Sequence, residues 1–195
     1  RLHYRRSNER FGRRGVPLSM SDPSFSWPDE KRIAVSLVVN VEEGAEESVA
    51  DGDRAPEPVD ELQVVMTKGR NLGNESNYQY GIRAGAPRVL RLLRDYGVTG
   101  TFTAAALALE RAPDLAKEII ADGHEVCAHG HRWAHQHWMK EDMERAFIRD
   151  AADSIEKTCG ERPSGWLSRY VLTENTRRLL VEEGYTYHMD DYSDD

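Results

Sequence analysis

From residue 33 onward the chain alternates between short apolar runs and amphipathic segments. Ile33-Ala34-Val35-Ser36-Leu37-Val38-Val39 is a β-branched, almost continuous apolar run, the pattern of a strand buried on both faces of a parallel sheet. It gives way to the polar, glycine-terminated Asn40-Val41-Glu42-Glu43-Gly44. Residues 45–77 sustain no period and carry Gly52, Pro56, Pro58, Gly69 and Gly73, which predicts a long insertion, functional or mobile. Pro87 then opens a helix with Val89, Leu90, Leu92, Leu93 and Tyr96 on its apolar face and Gly97 as its stop. Val98–Thr103 reads as a strand. Pro113 starts a second helix that runs to Asp122 and closes at Gly123, and His124–Ala128 is the next strand. A long helix is predicted from Lys140 to Cys159, with Met143, Phe147, Ile148, Ala151, Ala152 and Ile155 at helical spacing. Pro163–Ser168 is short and strand-like, Thr173 caps a helix through Glu183, and Tyr185–Met189 is a fifth strand candidate.

Strand and helix thus alternate, which predicts an α/β fold with a parallel sheet or a (β/α) barrel. Five such units are too few to close an eight-stranded barrel of about 250 residues, so the sheet is open or the barrel is incomplete at the C-terminus. The organisation expected is an irregular lead-in over residues 1–32, rich in proline and serine around Pro17, Pro23 and Pro28, then one catalytic domain over 33–195 with its insertion at about 45–77.

Composition narrows the function. At 195 residues with 39% hydrophobic and 31% charged positions the chain can bury one sizeable core. It has no apolar run long enough for a membrane span, and a net charge of −8 argues against nucleic acid as its partner. The exception is local: residues 1–14 hold Arg1, Arg5, Arg6, Arg10, Arg13 and Arg14 against Glu9, a run suited to a solvated surface or a subunit contact and lacking the apolar stretch of a secretory signal. Cys127 and Cys159 form no framework, which predicts reduced thiols in a cytoplasmic protein. The partners expected are a small polar substrate and further copies of the chain in a homo-oligomer.

In βα architectures the chemistry lies at the carboxyl ends of the strands. Those ends carry Asn40, Glu42 and Glu43, then His129 and His131, then Trp166 and Arg169, then Asp190 and Asp191, whereas the opposite ends carry plain capping residues. Four of the seven histidines fall within residues 129–137. That loop can be a metal box, an acid–base histidine with bystanders, or a solvated loop; the spacings 129/131 and 131/135 both allow ligation. Glu42 and Glu43 are adjacent and should diverge on an extended strand end unless Gly44 bends the chain. A solvated acidic turn is the alternative. Trp133, Trp138 and Trp166 could wall a pocket or fill the core, and Arg169 could clamp an anion or a carbonyl oxygen.

On these residues the chain resembles the polysaccharide deacetylase (NodB-homology) superfamily, and within it the cofactor-independent allantoinase branch. The matching pieces are Val39–Glu46, Asn71–Ser76, Tyr80–Gly85, Gly123-His124-Glu125, Ala128-His129-Gly130 with Arg132-Trp133, Gly160–Pro163 with Gly165-Trp166, Asn175–Leu179 and Asp190–Asp195. The resemblance implies a deformed (β/α) barrel. In metal-dependent members a pair of aspartates follows the first strand and two histidines lie four residues apart; here Glu42, Glu43 and His129 take three of those places and Trp133 takes the fourth. Leu167 stands where deacetylases carry an arginine. The resemblance further implies hydrolysis of a cyclic amide or ureide such as allantoin, with Glu42 and His129 catalytic. Glu43, Glu75, Trp166, Arg169 and Asp190 would bind substrate, and no cofactor is expected. The alternatives are a Zn2+-dependent deacetylase of N-acetylated sugars, its ion held by Glu43, His129 and His131, and a degenerate barrel without activity.

Overall fold

The structure, a computed structural model, describes residues 28–58 and 65–193. The arginine-rich start, Pro17, Pro23, Asp194 and Asp195 lie outside the described residues, as does the centre of the 45–77 insertion. The chain divides into two compact units, residues 1–35 and 36–195. In the first, the described part holds a single 3-10 turn at Pro28–Glu30.

The second unit is built on five parallel strands, β1 (Val38–Val41), β2 (Thr101–Ala104), β3 (Glu125–Ala128), β4 (Gly165–Trp166) and β5 (Tyr187–His188), ordered in space as they are in sequence. Among the described residues no strand is inserted out of order, so the sheet shows no switch point of the doubly wound kind. Each crossover instead advances the sheet by one strand, the construction of a (β/α) barrel, here with the sheet unclosed. The helices are α1 (Leu72–Tyr80), α2 (Ala86–Tyr96), α3 (Ala106–Arg111), α4 (Pro113–Ala121), α5 (Glu141–Cys159) and α6 (Thr176–Glu182), with a π-helical turn at Gly81–Gly85 joining α1 to α2.

The first strand differs from the sequence expectation. Pairing starts at the Leu37 carbonyl, which accepts from Thr101 N–H at 2.8 Å, and the ladder runs from Val38↔Thr101 to Val41↔Ala104. A strand extends only as far as its neighbour does, and β2 offers four residues. Nor is β1 buried on both faces: as a sheet edge it leaves Val38 43% exposed and seals only Val41. Two helices carried no readable periodicity. α1 has no buried residue and starts at Asn71, whose side chain caps Asn74 N–H at 3.1 Å. α3 is a short alanine-rich turn of chain after β2. The insertion therefore ends in a helix rather than in an irregular loop.

Strand register sorts the side chains into two faces. Val41, Phe102, Ala104, Val126, Ala128 and Trp166 belong to the apolar core, together with Ile148, Ala151, Ala152 and Ile155 of α5 and Leu179 of α6. The other face carries the row Asn40↔Thr103↔Cys127, where Thr103 Oγ1 donates to Asn40 Oδ1 at 2.5 Å. Register puts Gly165 on this second face opposite Tyr187, and a Cβ there would overlap the tyrosine ring.

One buried polar cluster ties the loops at the carboxyl edge together. Glu144 of α5 is fully buried and accepts from Gln136 Nε2 at 2.9 Å, Thr173 Oγ1 at 2.5 Å and Thr176 Oγ1. A buried carboxylate is tolerable only with such a complement of donors. This one joins the loop after β3 to the start of α6.

Candidate active site

Side-chain parity carries the inner row past the strand ends. Glu42 shares the parity of Asn40, and His129 that of Cys127, so both follow the polar row to the mouth of the sheet, while Val41 and Glu43 have the opposite parity. His129 is 5% exposed and Glu42 lies against it, with His129 Nε2 3.1 Å from Glu42 Oε1. The other ring nitrogen, Nδ1, is 2.7 Å from the Leu167 carbonyl oxygen. A carbonyl only accepts, so Nδ1 carries a hydrogen and Nε2 is the nitrogen presented to Glu42. A hydrogen bond between Nε2 and the carboxyl then requires one shared proton. Asn40 Nδ2 donates to the same Glu42 oxygen at 3.0 Å, and Thr103 fixes Asn40 from behind. The second carboxyl oxygen of Glu42 has no hydrogen-bond partner among the described residues and is free for a reactant.

These residues open on a cavity of about 490 Å³ lined also by Asn74, Asn77 and Tyr78 of α1, and by Trp133, Leu167, Ser168, Arg169, Tyr170 and Tyr192. Burial pushes the Tyr78 hydroxyl up to about 12, so it stays protonated at neutral pH. Arg169 forms the cationic wall. Its guanidinium stacks on Trp133 at 3.6 Å from the ring centroid, donates to the Trp133 carbonyl at 2.6 Å, and pairs with Glu57. Both charged partners are shut away from water, with side chains 5% and 2% exposed. The loop that delivers Glu57 is fastened by arginines from elsewhere. Arg132 grips Asp53 with two bonds at 2.9 and 2.7 Å and holds the Glu46 carbonyl, and Arg111 bridges Asp51 and the Gly44 carbonyl. The Arg132 hydrogen bonds hold the Asp53 carboxyl below the usual carboxylate range.

Of the residues marked from sequence, Glu42, His129 and Arg169 come together around this cavity. Glu43 does not join them. It points into a second cavity of about 300 Å³ with Glu75, Arg70, Arg83 and Arg111, and its carboxyl lies so close to Gly81 that a Cβ there would overlap it. Glu75 is held by Arg70 through two bonds at 3.0 and 2.5 Å. Trp166 is fully buried, wedged edge-on between Phe147 and Tyr185 at 6.0 and 5.5 Å, because its register opposite Ala128 turns it to the helix side. It is a core residue, not a wall of the cavity. Asp190 accepts from Ser168 N–H at 3.0 and 3.1 Å and so positions the chain after β4, without lining the cavity itself.

A metal ion of the kind the deacetylase pattern implies does not fit these donors. The position four residues after His129 is Trp133, His131 is turned to Glu110 at 3.3 Å, and Glu43 faces the other cavity. The set Glu43, His129 and His131 therefore does not converge, and among the described residues no three His, Cys, Asp or Glu side chains could hold an ion together. The His135 and His137 rings meet edge-on at 5.6 Å, and His135 lies 5.9 Å from Tyr170.

Sequence reasoning missed Glu57, Asn74, Asn77 and Tyr78. A lone acid between Pro56 and Pro58 gives no signal. For α1 the signal was the capping asparagine and the positions 74, 77 and 78, which a helix places on one side.

Comparisons with known proteins agree with this architecture. Residues 76–188, more than half of the chain, match the family described as Polysaccharide deacetylase. A Schizosaccharomyces pombe protein named "Putative polysaccharide deacetylase" is 29% identical over 196 residues, covering 94% of this chain and 60% of that protein. The Peptidoglycan deacetylase of Helicobacter pylori is 28% identical over 104 residues, covering 53% of this chain and 36% of its own length. Among solved structures, PuuE allantoinase superposes with a TM-score of 0.81 at 39% identity, covering 87% of this chain and 57% of that one. The chain thus spans about three fifths or less of the length of these relatives. It belongs to the polysaccharide deacetylase family.

Proposed function

We propose that this protein hydrolyses the C–N bond of a small cyclic amide or ureide such as allantoin, with water activated by Glu42 and without a metal ion. The observation that carries the reading is the Glu42–His129 pair, held from three sides by Asn40, Leu167 and the strand ends, in a site where Trp133 fills the place of a further ligand. The likeness to PuuE allantoinase supports it.

In the reaction the free oxygen of Glu42 takes a proton from water as the water oxygen adds to the ring carbonyl. The tetrahedral centre then collapses, the C–N bond breaks, and the proton passes to the departing nitrogen. The product is one open-chain molecule. It carries the new carboxyl group, which releases its proton to solvent and becomes a carboxylate, and the freed nitrogen as an amine or, from a ureide, as a ureido NH2. For Glu42 to act as base the shared hydrogen sits on Nε2, so His129 donates Nδ1–H to the Leu167 carbonyl and Nε2–H to the Glu42 carboxylate, which fixes the carboxylate in place. With no Lewis acid, the developing oxyanion depends on preorganised donors, for which the cavity offers the Tyr78 hydroxyl and the Arg169 guanidinium. Two free cysteines, Cys127 and Cys159, support action in a reducing compartment. No helix among the described residues is long and apolar enough to cross a membrane.

The test is incubation of the purified protein with allantoin and assay of allantoate, with and without a chelator. Turnover that survives chelation is the expected result. Absence of turnover on any cyclic ureide, or metal-dependent release of acetate from N-acetylated sugars, would overturn the proposal and favour the deacetylase reading that the family name suggests.

A further inference from the structure

Three carboxamides line the main cavity, and their hydrogen bonds divide them sharply. Asn40 is engaged at both ends, donating to Glu42 and accepting from Thr103. Asn74 has its amide nitrogen engaged by the Glu57 carbonyl and the Tyr78 hydroxyl, both at 3.3 Å, which leaves only its oxygen. Asn77 lines the same cavity, and its side chain makes no hydrogen bond among the described residues, so both its N–H donors and its oxygen are available. It lies on α1 at i+3 from Asn74 and beside the half-buried Tyr78, on a helix with no fully buried residue.

A free carboxamide presents one donor and one acceptor side by side. It can form two parallel hydrogen bonds only with a partner whose N–H and C=O also point the same way. In an open-chain secondary amide these two groups are trans and point in opposite directions, because the cis form costs about 2.5–4 kcal/mol. A five-membered ring forces them cis. We propose that Asn77 reads the cis-amide edge of a ring, and so selects cyclic ureides and imides over the trans N-acetyl amides that deacetylases take. Asn74 Oδ1, one turn earlier, accepts from a second ring or ureido N–H. The inference rests on the reading of this site as one for cyclic ureides. It adds the residue that makes the choice and the geometry by which it is made.

The experiment is a titration of hydantoin, a bare five-membered ureide, into the wild-type protein, Asn77→Ala and Asn77→Asp, beside the open-chain probe N-methylacetamide. A lost pair of parallel hydrogen bonds should weaken hydantoin binding by about tenfold to a hundredfold in Asn77→Ala, while any affinity for N-methylacetamide stays within about twofold. Asn77→Asp keeps an acceptor but loses the donor, and should fail to restore binding. On allantoin, Asn77→Ala should raise KM by a similar factor with kcat within about threefold, since the contact is made equally in ground and transition states. Alanine suits an exposed helix interior, so folding is preserved, and a melting curve verifies it. Equal hydantoin affinity in wild type and Asn77→Ala, or no hydantoin binding by the wild type, overturns the inference. Hydantoin binding through Asn77 without allantoin hydrolysis would sink the proposed reaction alone; hydrolysis with an unchanged KM would sink the role of Asn77 alone.

Discussion

Glu57 gives the sharpest test of how this site is held. The substitution Glu57→Leu removes the carboxylate that faces Arg169, whose guanidinium is 5% exposed and otherwise meets the Trp133 carbonyl and ring. The carboxylates that grip the other loop arginines, Asp53 among them, are partly in water. Glu57, at 2% exposure, is not. A cation stranded in such a place costs about 3–5 kcal/mol, against about 0–1 kcal/mol for a surface pair. For a chain of this length that corresponds to a fall in Tm of about 6–20 °C. The assay is urea unfolding followed by circular dichroism, on Glu57→Leu, Arg169→Leu and the double variant. The double variant should recover much of the loss, because it removes the stranded charge along with the pair, and the cycle isolates the coupling. A loss below about 1 kcal/mol in Glu57→Leu would show that water reaches Arg169, and would refute the claim that the loop after β1 builds the cavity wall.

The same geometry sets further outcomes. Glu42→Gln should lower kcat on the cyclic ureide by about 10²–10⁴-fold while leaving the melting temperature nearly unchanged, measured by steady-state turnover beside thermal unfolding. Trp166→Ala should destabilise the fold by about 3–5 kcal/mol in denaturant, since the ring is fully buried between Phe147 and Tyr185. An effect confined to KM would instead return it to the cavity wall. Asp53 has its folded pKa depressed by the Arg132 hydrogen bonds, so it contributes stability above its unfolded value near 3.8 that disappears as pH falls through the lower folded value. Asp53→Asn should therefore destabilise the protein at pH 7 and cost progressively less in acid, and a pH-independent loss would contradict this. Gly81→Ala should displace the Glu43 carboxyl from its seat on the π-helical turn, with a change in stability but not in the pH profile of turnover, because Glu43 faces the second cavity.

Periodicity alone determined much of this fold: the alternation of strands and helices and the parallel sheet. Whether Glu42 and Glu43 diverge or both reach one pocket stayed open in the sequence, because Gly44 could bend the chain; the structure puts them in different cavities. His129 was legible because it directly follows the run His124–Ala128, at the carboxyl end of a predicted strand; that it continues the polar row of Asn40, Thr103 and Cys127 emerged only with the register. What the sequence could not decide was anything set by a neighbour distant along the chain. The burial of Trp166 depends on its register opposite Ala128, and the length of β1 depends on that of β2. The partner of Arg169 is 112 residues away in a segment without any period. The engaged and free ends of Asn40, Asn74 and Asn77 exist only once Glu57, Thr103 and Tyr78 are brought beside them. Local propensity and pattern act over a few residues, whereas burial, ion pairing and hydrogen-bond saturation are properties of the folded chain. The scaffold was therefore written along the sequence, and the contacts within the cavity were decided by tertiary structure.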